Sequence, residues 1–292
     1  MLDARTRILL MAPAVIVIGA LLVLPLGYLI RTSFFIGEAG LPAEGGVTLA
    51  NYAKLFSDTF YIRILGKTLW LSFLVTVVAA IIGYPLATFM WRVSKRWRGI
   101  LTIIVLSPLL VSIVVSSYGW LVILGSTGII NNALMWLGIV DSPVKIMFTD
   151  IAIVIGLAHI VLPFMVLSIL AALERIDPTY LEAAKTLGAN NLWTAWFVTL
   201  PLALPGFLAG TTIVFSLAVS AYVTPAVLGA SGPNFITTLI YQQFVSLFNW
   251  PLGAAIAAML LVVALGIVFL YVRLFSRFGG AAVQAQVADG AK

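Results

Sequence analysis

Long apolar runs free of Asp, Glu, Lys and Arg alternate along the chain with short polar segments. The first covers residues 8–30. As a helix it would span roughly 34 Å, enough to cross a hydrocarbon core of about 30 Å. Further runs cover residues 68–91, 99–124, 151–173, 206–228 and 251–272. The stretch from Thr186 to Val272 carries no charge at all. It divides at GASGPN, residues 229–234, because Gly, Ser, Pro and Asn together mark a loop. The pattern predicts an all-α integral membrane protein, with six transmembrane helices in a single transmembrane domain over residues 1–292. No internal repeat or low-complexity segment interrupts it.

The first run has a basic start, Arg5 and Arg7, as a secretory signal would. It is too long for a signal core, and no small-residue cleavage site follows. It reads as a retained span.

Composition agrees. Of 292 residues, 62% are hydrophobic and 9% charged, and mean hydropathy is +1.15. A soluble domain carries about 25% charged residues, so lipid must be the solvent for most of this surface. The net charge of +6 is explained by where the cations lie. With a cytoplasmic N-terminus, the inner side holds Arg5, Arg7, Arg92, Lys95, Arg96, Arg98, Arg175, Lys185, Arg273, Arg277 and Lys292. The outer side holds Arg31, Lys54, Arg63, Lys67 and Lys145. That is the positive-inside bias. It places both termini in the cytoplasm and calls for no nucleic-acid partner. Residues 92–98 read as an anchor of this kind.

The inventory excludes most chemistry. There are no cysteines and one histidine, which leaves no nucleophilic triad and no metal cluster. Gly66-Lys67-Thr68 looks like the end of a phosphate-binding loop, but Tyr61 stands where that loop needs another glycine. No span contains Asp or Glu, which ion-coupled pumps usually need. His159 is the one ionisable side chain well inside a span; it reads as a hydrogen bond between helices, or as part of a pathway. Pro163, four residues later, loosens that helix. Two hydroxyl-bearing stripes are candidate pathway linings: Thr212, Ser216, Ser220 and Thr224 on the fifth span, and Ser112, Ser116 and Trp120 on the third. Such residues also pack spans together. Tyr118, Trp120 and Tyr222 could stabilise a passing cation through their ring faces. Asp141 and Asp150, near the outer ends, read as loop caps.

The segment between the fourth and fifth spans, residues 174–205, is the most informative. Asp177 is placed to cap a helix that has Pro178 at its first position and runs through Leu187. Gly188 suits a left-handed residue that ends it. Asn190 or Asn191 caps a second helix, whose Trp193, Trp196 and Phe197 share a face suited to the membrane interface. Pro201 and Pro205 mark the return to the bilayer. Small Ala183 and Ala184 permit close approach by a partner, and Glu182 and Lys185 offer polar contacts.

Glu182-Ala183-Ala184, then Gly188, then Val198, Leu200 and Pro201, resembles the EAA loop of ABC importer permeases, with Val198 in the usual place of Ile. The resemblance implies a type I importer permease fold of the MetI-like kind, in a bacterial inner membrane. It also implies that residues 174–205, with Glu182, Ala183, Ala184, Leu187, Gly188 and Pro201, insert into a separate ATPase subunit. The chain itself would then be no enzyme and hold no cofactor, ATP and Mg being bound by the partner. Residues 136–166 and NWPLGAAIA, residues 249–257, resemble spermidine/putrescine-type permeases. Those systems combine two permeases, two cytoplasmic ATPases and a periplasmic binding protein. The implied cargo is a small amine-bearing solute, a polyamine first, with an opine, an amino acid or another small solute as the alternative. Spermidine-type permeases can carry an Asp near the position of Pro225, and this chain does not. A stand-alone secondary transporter or channel is the alternative of another class; missing carboxylates and the EAA loop both weigh against it.

Overall fold

The computed structural model describes the backbone of residues 4–37, 46–230, 232 and 234–289, and side chains only within residues 12–274. Ser231 and Pro233 of the expected turn, and the side chains of Arg5, Arg7, Arg277 and Lys292, lie outside the described residues. Among the described residues, regular structure is helical apart from one isolated antiparallel bridge, Phe35 to Val47. Five helical segments are long and apolar enough to cross a membrane: Val15–Ser33, Thr59–Arg92, Ile113–Trp136 (interrupted between Leu124 and Ile129), Asp150–Leu173 and Trp250–Leu274. A sixth candidate is a bent pair, Asn191–Leu202 with Leu204–Ser220, turning by 72°, which is long enough only if both arms count as one span.

The chain forms two compact units. The first comprises residues 1–64 and 236–262. It holds α1 (Ala4–Ser33), α2 (Ala50–Ser57) and the first turns of α3 (Thr59–Arg92). The end of α1 is tied to α2 by polar contacts. Asn51 Nδ2 donates to the carbonyls of Ser33 and Phe35, at 2.9 and 3.0 Å, and Ser33 Oγ lies 2.7 Å from the Tyr52 hydroxyl. Upstream, the large apolar side chains of α1 are exposed, Leu21 and Leu24 by 73% and 70%, as a lipid-facing helix requires.

The second unit comprises residues 65–235 and 263–292. It contains most of α3, then α4 (Lys95–Leu110), α5 (Ile113–Leu124), α6 (Ile129–Trp136) and α7 (Asp150–Leu173). There follow α8 (Pro178–Thr186), α9 (Asn191–Thr194), a π-helical turn (Ala195–Thr199), α10 (Leu200–Leu202), α11 (Leu204–Ser220) and α12 (Val223–Leu228). Its core joins Leu71, Val75 and Ala79 of α3 to Ile153, Val161, Met165 and Ile169 of α7 and to Val214 and Ala218 of α11. The α7–α11 approach is very close. A Cβ added at Gly206 would lie 2.4 Å from the Ser168 carbonyl oxygen, and one at Gly210 would lie 3.0 Å from Met165 Sδ. These two glycines form the small-xxx-small spacing that lets helix backbones meet in lipid.

Prolines divide two runs that hydropathy reads as continuous. Pro108 cannot donate to the Ile104 carbonyl; Ser107 Oγ takes that acceptor at 2.7 Å, α4 ends at Leu110, Val111 is extended, and Ser112 is non-helical. The third expected span, 99–124, is therefore split, and the apolar crossing helix begins at Ile113. Pro225 would press on the Ala221 carbonyl if the fifth run, 206–228, stayed helical. Ala221 is extended instead, so α11 stops at Ser220 and α12 restarts at Val223.

Candidate functional site

The polar loop that leaves α7 folds by local rules. Asp177 Oδ1 accepts from the Thr179 N–H at 2.9 Å and from the Thr179 hydroxyl at 2.6 Å, with Pro178 at the first helical position. Those two Thr179 donors, the hydroxyl foremost, hold the Asp177 carboxyl below its ordinary pKa. At the other end of α8, Gly188 takes φ +84°. Its N–H donates to the Lys185 carbonyl at 2.9 Å, and that of Ala189 to the Ala184 carbonyl at 3.0 Å. The pair is a Schellman ending. Asn190 caps α9, accepting from the Trp193 N–H at 2.7 Å. Trp193 and Phe197 stack with centroids 4.9 Å apart.

Within α8 only Ala184 is buried. Glu182, Ala183, Lys185 and Gly188 are exposed, and Leu187 is 88% exposed. A short helix thus presents an acid, a methyl, an isobutyl group and a glycine turn to the outside. Pro201 is also exposed. Lacking an N–H, it cannot close on the Phe197 carbonyl, and the turn before it widens to a π-helix, Leu200 N–H bonding to the Ala195 carbonyl.

The base of the loop is anchored. Arg98, which the sequence places in a basic cluster, turns its guanidinium onto the end of α3. Nε donates to the Met90 carbonyl at 3.0 Å and an η nitrogen to the Trp91 carbonyl at 2.6 Å. The other η nitrogen pairs with Glu174 at 2.8 Å. The Tyr84 hydroxyl of α3 donates to the Ala195 carbonyl. Neither Tyr84 nor the Arg98–Glu174 pair was marked by spacing, because each contact joins residues far apart in sequence.

The hydroxyl stripe divides. Thr212, Ser216 and Ser220 donate to carbonyls of their own helix, at Leu208, Thr212 and Ser216, and Ser216 and Ser220 are exposed. Thr224 lies on α12 instead, buried and 3.2 Å from Ser117 Oγ. Ser117, not the neighbouring Ser116, is the buried hydroxyl of α5. Ser112 sits at the break before α5 and Tyr222 at the break before α12. Tyr118 lies on the exposed face of α5. The structure does bring Trp120 and His159 together: Trp120 Nε1 donates to His159 Nδ1 at 3.2 Å, with the rings edge to face. Asp150 departs from the loop-cap expectation and pairs with Lys67 at 2.8 Å. An apolar groove of about 650 Å³ lies between α3, the π turn, α11 and the later part of a helix over Trp250–Asp289; Phe73, Tyr84, Trp196, Phe207 and Tyr271 line it.

Residues 76–279 match the family described as binding-protein-dependent transport system inner membrane component. The chain is 34% identical to the spermidine/putrescine transport system permease protein PotB of Haemophilus influenzae, over 78% of this chain and 79% of that one. It is 33% identical to PotB of Escherichia coli strain K12, over 82% and 87%. In fold it resembles a bacterial ABC transporter involved in the import of the acidic polysaccharide alginate, with a TM-score of 0.73 and 23% identity over 93% of this chain and 96% of that one. Multi-pass helices, an exposed capped loop and these matches agree: the chain belongs to the binding-protein-dependent transport system inner membrane component family, the membrane permeases of ABC importers.

Proposed function

We propose that this permease carries a small amine-bearing solute, a polyamine first, across a bacterial inner membrane, with residues 174–205 as its docking loop for an ATPase. The observation that carries the docking role is α8: a helix capped at both ends, held outside the span core, with Glu182, Ala183 and Leu187 exposed beside the left-handed Gly188. Exposed apolar and acidic groups on a rigid short helix suit insertion into a protein cleft. Two such permeases, two ATPases and a periplasmic binding protein make up the proposed assembly. Both termini lie in the cytoplasm, following the positive-inside bias. The polyamine reading is supported by the identity to the two PotB proteins.

The apolar runs of the sequence hold no Asp or Glu, so this chain's own share of the proposed path is made of dipoles and ring faces, with any carboxylate supplied by the second permease. Exposed Ser216 and Ser220, and the ring of Tyr118, are the groups of this chain proposed to meet it. Aromatic faces stabilise a cation by about 0.5–2 kcal/mol, weakly enough for release. The test is to purify the cognate binding protein from cells and identify its bound ligand by mass spectrometry. A polyamine supports the reading; a sugar, an oxyanion or a ferric complex overturns the cargo and leaves the permease family standing.

A further inference from the structure

We infer that α3 is the helix that receives the movement of the docking loop, through two lateral fastenings made by Tyr84 and by Arg98 with Glu174. The inference rests on the docking role proposed for residues 174–205.

The loop is fastened near each end. At its start, Glu174 accepts from Arg98, whose guanidinium also holds the Met90 and Trp91 carbonyls. Those carbonyls belong to the last turn of α3, where intrahelical donors run out, and a cation there complements the helix dipole. One planar fork therefore binds the loop and the helix end at once, a geometry that a lysine does not reproduce. Near the end of the loop, Ala195 offers its carbonyl to Tyr84 as well as to Leu200. Tyr84 and Trp91 lie about 10 Å apart along α3. Between the two fastenings lies α8, with Ala184 buried and its outward side chains exposed.

The covalent route from the loop into α11 turns by 72° between Leu202 and Leu204. The Tyr84 fastening leads directly into α3 and the Glu174 one reaches its end through the Arg98 side chain of α4; α3 continues through Ala79, Val75 and Leu71 into the core shared with α7 and α11. Displacement of α8 by an ATPase is thus delivered to the cytoplasmic end of α3. In this scheme Tyr84, Arg98 and Glu174 are positioning residues, acting through the loop and α3.

The experiment uses the full permease with its ATPase and binding protein in lipid vesicles, and reads solute imported per ATP hydrolysed. Tyr84→Phe removes one hydroxyl; Arg98→Lys keeps a charge for Glu174 but loses the fork. The double variant should import at least tenfold less solute per ATP, with the ATPase still copurifying and the melting temperature unchanged. A wild-type ratio in the double variant overturns the assignment. So does loss of uptake only in proportion to lost assembly, which makes the contacts merely structural. Glu182→Ala in parallel tests the docking role itself. If Glu182→Ala uncouples and the double variant does not, only the fastening proposal fails. If Glu182→Ala and Gly188→Val both couple normally, the docking role fails and the fastening proposal with it.

Discussion

Gly188 offers the cleanest perturbation, because its cost comes from one source. Its φ is +84°, and a Cβ built there meets no atom within 4 Å. A Cβ therefore meets no packing obstacle and is opposed by backbone strain, about 1–2 kcal/mol for an L-residue in the left-handed region. At 1.36 kcal/mol per tenfold, that lowers the population of the intact turn about 5- to 30-fold relative to a rearranged one. Rearrangement breaks the bonds from Gly188 to Lys185 and from Ala189 to Ala184 and tilts α8. Asn tolerates the left-handed region better than Ala, and a β-branched residue tolerates it worst. Hydrolysis stimulated by loaded binding protein should therefore fall in the order Gly, Asn, Ala, Val, with Gly188→Val the most impaired while the binding protein still holds its ligand. Normal stimulation in Gly188→Val with the assembly intact refutes the reasoning. Equal damage from Asn and Val refutes the assignment of the cost to backbone conformation.

Replacing Ser216 and Ser220 together by Leu should block uptake at unchanged expression; wild-type uptake would instead assign those hydroxyls to lipid-facing or packing roles. In intact cells, Ser94→Cys and Asn190→Cys should resist an impermeant thiol reagent while Asp141→Cys labels, and labelling of Asn190→Cys from outside would reverse the orientation. The depressed Asp177 pKa means that its cap stabilises α8 above the ordinary carboxylate range and is lost as pH falls through the lowered value. Amide-exchange protection at Thr179, corrected for intrinsic rate, should therefore hold at neutral pH, drop in acid, and lose this dependence in Asp177→Asn. Ser117→Val, which strands the buried Thr224 hydroxyl, should destabilise by about 1–3 kcal/mol in thermal unfolding, and an unchanged midpoint would remove that hydroxyl pair from the core.

The loop was legible because its rules are local. Asp177-Pro178, Gly188 and Asn190 each act within four residues, and caps of that range are written in consecutive letters. Hydropathy located the spans because lipid demands long apolar helices, but it is blind to direction within a run. Pro108 and Pro225 break helices without changing mean apolarity, so spans three and five were read as continuous. The hydroxyl stripe failed to stay together for the same reason: a fourfold period holds only while the helix does, and Ala221 ends it before Thr224. Arg98, Glu174 and Tyr84 were illegible in kind. Their partners lie 76 and 111 residues away in sequence, and only the fold brings them to α3. The Gly206–Gly210 spacing is legible in the sequence, but which helix it meets is not: only the fold sets it against Met165 and Ser168 of α7.

Those two glycines differ in a way that genetics would feel. At Gly210 the obstruction is made of side chains, Met165 Sδ and Ser168 Cβ. A larger residue there could be accommodated by shrinking either neighbour, and a damaged strain should yield second-site revertants at 165 or 168. At Gly206 the nearest obstacles include the Ser168 carbonyl oxygen itself. No substitution deletes a carbonyl, so trimming Ser168 or Ala172 leaves that obstruction in place. Mutational drift is consequently free to exchange volumes around position 210 but meets a dead end at 206, one helical turn away.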